Sequence, residues 1–400
     1  MKSEFITKPL SEIADIQTGP FGSQLHKKDY VQVGTPIVTV EHLGKKAFTK
    51  RNLPCVSNDD KERLSKYILQ EGDIVFSRVG SVDRCSYVSH DYDGWLFSGR
   101  CLRVRPLMEI DPQYLYYFFT LESTKQFVRG IATGATMPSI NTKFMGEIPI
   151  VYPKIDVQRK IASIFNLIDD KIELNRNINE NLYAQARTIK NQLIISNKGN
   201  YDLRPLADVA TINPDTYSPK ESWEYVNYLD TSSITNNVIT SIQHIITASD
   251  KLPSRAKRKV MAGDVLFSTV RPNQNHFGII SAPLPNLLAS TGFATIRSKN
   301  SFVSNEIIYL CLTEKNFVEK MQQLAEQSTS TFPSIKPSDL GSCQIPYPKN
   351  EKPDVFANSI KSLFSLISAN ERERYYLEIM RDTLLPKLIS GEVDVSAIKV

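Results

Sequence analysis

Pro9-Leu10-Ser11-Glu12-Ile13-Ala14-Asp15-Ile16 returns as Pro205-Leu206-Ala207-Asp208-Val209-Ala210-Thr211-Ile212. Gly72-Asp73-Ile74-Val75-Phe76-Ser77 returns as Gly263-Asp264-Val265-Leu266-Phe267-Ser268, and Pro138-Ser139-Ile140 with Tyr152-Pro153-Lys154 as Pro333-Ser334-Ile335 with Tyr347-Pro348-Lys349. These matches keep one order and recur after about 195 residues. Solenoid repeats are only about 20–50 residues long. The chain is therefore a duplicated domain, which implies two related sites held at a set separation.

The 400 residues suffice for two domains, each with its own core. An apolar fraction of 41% and a charged fraction of 23% are those of a globular protein. The opening Met1–Lys8 has no signal-peptide pattern, and no window approaches the ~18 apolar residues of a membrane span. Five cysteines, an odd number with no close pair, argue against a disulfide framework or a thiolate zinc site. The expected compartment is the reducing cytoplasm. A net charge of +5 is compatible with nucleic acid without demanding it.

Each repeat reads as a globular α/β (α+β) part followed by a long helix. Strands are expected at Asp73–Phe76, Leu102–Val104, Asp264–Phe267 and Ala294–Ile296, and helices at Pro112–Val128 and Asn305–Leu324. After Pro153, residues 161, 164, 168, 171, 175, 178, 182, 185, 189 and 192 alternate at spacings of 3 and 4. After Pro348, residues 356, 360, 363, 367, 370, 374, 377, 381, 384 and 388 do the same. Such a stripe is a coiled-coil seam. At ~36 residues and ~54 Å it is too long for one small domain to cover, so the two helices are expected to pack on each other. Asn175 and Asn370 fall at equivalent seam positions, where a buried amide can fix register. Asp156 is placed to cap the first helix and Pro353 to start the second, with Gly199 and Gly391 after their ends and Pro386 as a kink. Antiparallel packing needs no long crossover through residues 196–204. It predicts a pseudo-two-fold object, two heads on a stiff spacer, and duplex DNA, with groove faces every ~34 Å, suits it as a ligand.

Gly134-Ala135-Thr136-Met137-Pro138-Ser139-Ile140, Ile148-Pro149-Ile150 and Gln158-Arg159-Lys160-Ile161-Ala162 resemble the junction between a target-recognition domain and its helix in specificity subunits of type I restriction–modification enzymes. Ser330-Thr331-Phe332-Pro333-Ser334-Ile335 is similar to the same junction, and Ser268-Thr269-Val270-Arg271-Pro272-Asn273 and the ending Leu384–Glu392 also resemble that family. The likeness covers the whole chain, although Phe356-Ala357-Asn358-Ser359-Ile360 is a degraded counterpart of Gln158–Ala162. It implies target-recognition domains at 1–153 and 199–349, spacer helices at 154–198 and 350–391, and a tail at 392–400. It implies a non-catalytic DNA reader: each domain reads half of a bipartite, asymmetric site in double-stranded DNA, and the helices set the gap. Two methylation subunits and the restriction/motor subunits would be its partners, with S-adenosylmethionine, ATP and Mg²⁺ held by them and none by this chain.

No phosphate loop, dinucleotide turn, nucleophile elbow or metal-ligand spacing appears in the sequence. Asp73 and Asp264 are explained by a turn before a strand. The candidate DNA contacts are loop residues: Gly22, Ser23 and Gln24; Arg78, Ser81 and Arg84; Thr269, Arg271, Asn273 and Asn275; and Thr136 and Thr331 before the junctions. Small residues admit phosphates, and Arg, Asn and Gln can pair with base edges. Arg78 and Arg271 follow matching strands, two residues out of register. A two-headed protein-binding scaffold, or a self-sufficient methyltransferase or nuclease, would be the rival readings.

Overall fold

The computed structural model describes residues 5–22, 24–134, 136–196, 199–218, 220–299, 303–328, 332–350 and 355–395. It forms two compact units, Met1–Ile172 with Tyr375–Val400, and Glu173–Arg374. In the first, an antiparallel sheet runs in the order Ala14–Thr18, Cys101–Pro106, Ile74–Ser77, Cys85–Tyr87. Ile74–Ser77 is buried on both faces, as expected of a strand between two layers. One face meets the helices Pro112–Thr120 and Glu122–Ile131; the other meets a smaller sheet of Tyr30–Val31, Cys55–Val56, Thr35–Val38 and Leu96–Phe97. Ile6–Pro9 pairs antiparallel with Pro149–Tyr152 immediately before the chain enters its long helix.

The second unit repeats the plan. Its antiparallel sheet is Ala210–Ile212, Phe293–Ser298, Asp264–Ser268, Phe277–Ile280. The smaller sheet is Gln243–Ile246, Tyr225–Leu229, Leu287–Ser290, Ala256–Lys259, and Tyr201–Pro205 pairs with Gln344–Pro348. The helix expected at Pro112–Val128 is two helices, because Leu121 is extended at ψ 134°. The one expected at Asn305–Leu324 likewise breaks into Asn305–Leu312 and Lys315–Glu326 at Glu314, ψ 135°. Helical spacing of apolar residues survives such a corner, so periodicity alone does not reveal it.

Asp73 and Asp264 are structural. Each is almost fully buried, accepts a backbone N–H three residues back (Gln70 and Met261, both 2.8 Å), and holds a guanidinium with two bonds. Arg105 donates to Asp73 at 2.7 Å twice, and Arg297 to Asp264 at 2.7 and 2.8 Å. These hydrogen bonds raise the pKa of both arginines.

The long helices are Ile155–Ser196 and Val355–Ile389. In the first unit Arg381 reaches Asp169 at 3.2 Å, and Ile161, Ala162, Phe165 and Ile168 share one core with Leu385, Leu388 and Ile389. In the second, Asn175 donates to Glu373 at 2.8 Å, Asn179 to Glu371 at 3.0 Å, and Tyr183 lies 5.5 Å from Phe364 between ring centroids. Partner numbers fall as the first helix advances, so within each unit the pairing is antiparallel. Each stripe packs both on the other helix and on its own unit's core.

That double duty shifts the seam. Residues 161, 168 and 175 are buried as expected, but Phe165, Asn179, Ala186 and Lys190 are buried where 164, 178, 185 and 189 were anticipated, and Ile178, Gln185 and Gln192 are exposed. The domain core draws the stripe one position round. Asn370 donates to Asn179 at 2.8 Å, not to Asn175. Asp156 lies in the first turn, one residue inside the helix start, where its charge suits the helix dipole but does not cap. Gly391 adopts the left-handed conformation (φ +74°), Gly199 does not, and the helix continues through Pro386 to Ile389. Pro353 lies outside the described residues. No helix among those described is long and apolar enough to cross a membrane.

Asp73→Ala should destabilise the first unit by about 3 kcal/mol, because the half-buried Arg105 loses the one carboxylate it bonds among the described residues. Asp264→Ala should cost less, since Arg297 keeps Asp215 at 2.9 Å. Hydrogen-exchange protection of strands 74–77 and 264–268 measures both; equal losses would contradict this ordering.

Candidate nucleic-acid interface

In both units the central strand ends in a serine that turns the chain outward. Ser77 Oγ donates to the Val79 carbonyl at 2.9 Å, and Ser268 Oγ to that of Val270 at 2.7 Å. The next residues bridge to the loop before the junction, Val79 to Ser139 and Val270 to Ser334. The Gly80 N–H donates to Pro138 O at 2.8 Å, and the Arg271 N–H to Pro333 O at 2.9 Å. Position by position, then, Arg271 stands where the first unit has Gly80, and Thr269 where it has Arg78.

The backbone agrees. Gly80 has φ +82° and Arg271 has φ +47°, both left-handed. A non-glycine residue there is strained, and such strain concentrates at functional sites. Both arginines lie against an exposed phenylalanine: Arg78 is 4.8 Å from the Phe21 ring centre and Arg271 4.9 Å from that of Phe332. The two rings are more than half exposed. Many of the chain's other arginines are occupied by carboxylates, among them Arg103, Arg105, Arg129 and Arg297. Neither Arg78 nor Arg271 has a carboxylate partner among the described residues. Arg78 also donates to the Gly99 carbonyl at 3.1 Å. A guanidinium set beside a ring, with no carboxylate partner among the described residues, is prepared for an anion or a base edge. The phenylalanines carry this geometry. Their sequence signal is an aromatic beside Gly or Pro in a turn, where it has no core to enter.

A Cβ on Gly22 would meet nothing within 4 Å among the described residues beyond its chain neighbours, and Gln24 donates its N–H to Phe21 O and accepts from Tyr67 OH at 2.7 Å, so this loop converges on Arg78 through Phe21. Ser81 and Thr136 are exposed. Arg84 is drawn elsewhere, its guanidinium donating to the Leu43 carbonyl. Thr269 is buried and its hydroxyl donates to Gly292 O at 2.9 Å, which leaves it part of the loop's frame. Asn273 is exposed and Asn275 is left-handed (φ +57°). Both line an open groove of about 830 Å³ with Arg187, Lys190 and Gln322. Burial lowers the pKa of Lys190, which pairs with Glu314. Ser23 and Thr331 lie outside the described residues.

Arg271→Gly should stabilise the second unit by about 1 kcal/mol relative to Arg271→Ala, because glycine alone is unstrained at this φ. Thermal melting of the two variants is the measurement; identical midpoints would mean that the backbone strain is absent.

A model of the type I restriction modification DNA specificity domain matches the chain twice, over residues 2–184 and 198–378. The HindI type I restriction enzyme specificity subunit of Haemophilus influenzae is 23% identical, the match covering 82% of this chain and 88% of that one. The putative MjaX type I restriction enzyme specificity subunit of Methanocaldococcus jannaschii is 24% identical, covering 92% and 89%. The crystal structure of the type I restriction–modification S subunit from M. genitalium superposes with a TM-score of 0.60 at 15% identity, covering 97% of this chain and 96% of that one. The chain belongs to the type I restriction–modification specificity-subunit family, and it carries two copies of that family's DNA specificity domain.

Proposed function

We propose that this chain is the non-catalytic DNA reader of a cytoplasmic methylation and restriction complex. Each unit reads one half of a bipartite, asymmetric duplex site, and the paired helices set the gap. The observation that carries this is the loop frame found in both units, which presents a carboxylate-free arginine against an exposed phenylalanine. Different half-sites call for different readers on one frame, and Arg78 and Arg271 indeed leave that frame from different positions. The helices keep apolar side chains in solvent, among them Leu167, Leu174, Leu366, Tyr376 and Met380. Surface of that kind suits subunit docking, and we assign it to two methylation subunits, with restriction/motor subunits joining that core. S-adenosylmethionine, ATP and Mg²⁺ then belong to those partners.

Selection from a random duplex pool by the assembled complex tests the reading. A two-part motif is expected; no enrichment would favour a protein-binding scaffold. Inserting seven residues after Ile172 and seven after Arg374 should lengthen the paired helices by about 10 Å and the gap by about 3 base pairs, leaving the half-sites intact. Altered half-sites with a constant gap would refute the ruler. Arg271→Ala should cost about 1–3 kcal/mol and relax one position of one half-site. An even loss across all sequences would reassign Arg271 to a phosphate.

A further inference from the structure

The residue after each central strand's terminal serine leans on the turn that opens the neighbouring strand. The Arg78 N–H donates to Arg100 O at 2.8 Å, and the Thr269 N–H to Gly292 O at 2.8 Å. Arg100 and Gly292 are thus one backbone position. The first unit puts an exposed arginine there. The second has glycine, and a Cβ on it would lie 2.6 Å from Thr231 Oγ1 and 3.2 Å from Arg255 Nη2. The space a side chain would enter is already held by the Arg255 guanidinium. Arg255 comes from the turn before Ala256–Lys259, and its carbonyl accepts the Thr291 N–H at 2.8 Å. Among the described residues neither Arg100 nor Arg255 pairs with a carboxylate, and both are exposed. Both units therefore set a second uncompensated guanidinium beside the reading loop, from unrelated sequence positions.

What the two units share here is an exposed arginine at one backbone position or beside it, not a side-chain direction. A base edge needs a fork delivered along one vector. A phosphate needs only a positive group within reach, and the phosphodiester backbone is the same under both halves of an asymmetric site. Base readers have reason to differ between the units, whereas phosphate contacts do not. Exposed Lys257 extends the positive charge beyond Arg255 in the second unit. We propose that Arg100 and Arg255 are the equivalent DNA-phosphate contacts of the two units, an assignment that rests on the DNA-reading function above.

The test is salt-titrated binding of the complete complex to its own recognition duplex and to a random duplex. Arg100→Ala and Arg255→Ala should each weaken both interactions alike, up to about five-fold. Each should flatten the log–log salt slope by about one, with the methylated motif unchanged. In the triple variant R255A/T231A/G292R the guanidinium moves to the position used by the first unit, and the slope should recover. Thr231 can be trimmed because its hydroxyl has no hydrogen-bond partner among the described residues. Wild-type slopes in both single variants, or a motif changed at one half-site, would overturn the assignment alone. Failure of the triple variant to recover, at wild-type melting temperature, would overturn the equivalence. A wild-type complex that enriches no motif overturns the underlying reading and this one with it.

Discussion

The apolar faces of the two long helices must be covered, and much of the structure follows from how this is done. The first unit is not built from one continuous stretch, and the second takes both long helices into its core. The core beneath Pro112–Ile131 is completed by Leu385, Leu388 and Ile389, more than two hundred residues further on. The core beneath Asn305–Glu326 takes Ala186 from one helix and Ile360, Phe364 and Ile367 from the other. Burying these side chains, at about 1.5–3 kcal/mol each, ties the spacer to the heads by the same force that folds the heads. A coiled coil free of the domains would leave a head on a swivel, whereas a shared core fixes each head to its own stretch of helix.

The duplication keeps what folds and varies what touches. Both units retain a buried aspartate with a twice-bonded arginine at the base of the central strand. They differ where a loop meets the long helix. In the first unit Lys46 donates to Asn166 at 2.6 Å and to Tyr117 OH at 3.1 Å, while that hydroxyl donates to Asp169 at 2.7 Å. Burial lowers the Lys46 pKa and raises that of Tyr117. In the second unit Asn237 bonds Tyr183, which packs with Tyr309 and Phe364. A charged network and an aromatic cluster thus do the same mechanical task. Buried polar groups demand complete pairing, so the first solution tolerates substitution less well than the second.

The loops at the ends of the central strands show a similar division. The frame of serine, bridge and proline carbonyl is common to both units, and the side chains it presents are not. Arg271 accepts a left-handed backbone that glycine fills in the first unit, and each arginine finds its phenylalanine on a different loop.

The sequence by itself determined the duplication, the central strands, the two long helices and the loops that flank the strands. These are local: strand and helix periodicities and turn residues act over a few neighbours. It did not determine the corners at Leu121 and Glu314, since a helix keeps its apolar spacing on either side of a bend. Nor did it settle which of two adjacent stripes on the first helix is buried. Residues 164 and 165 are both apolar, and only the core packed against them decides between the two. Within the candidate site, Arg78 and Arg271 were legible as arginines after strands. Their non-equivalence, their phenylalanines, and the nearness of Arg255 to the backbone position that Arg100 holds in the other unit were not. Those depend on which distant loops meet at the end of a sheet, and spacing along the chain carries no information about that.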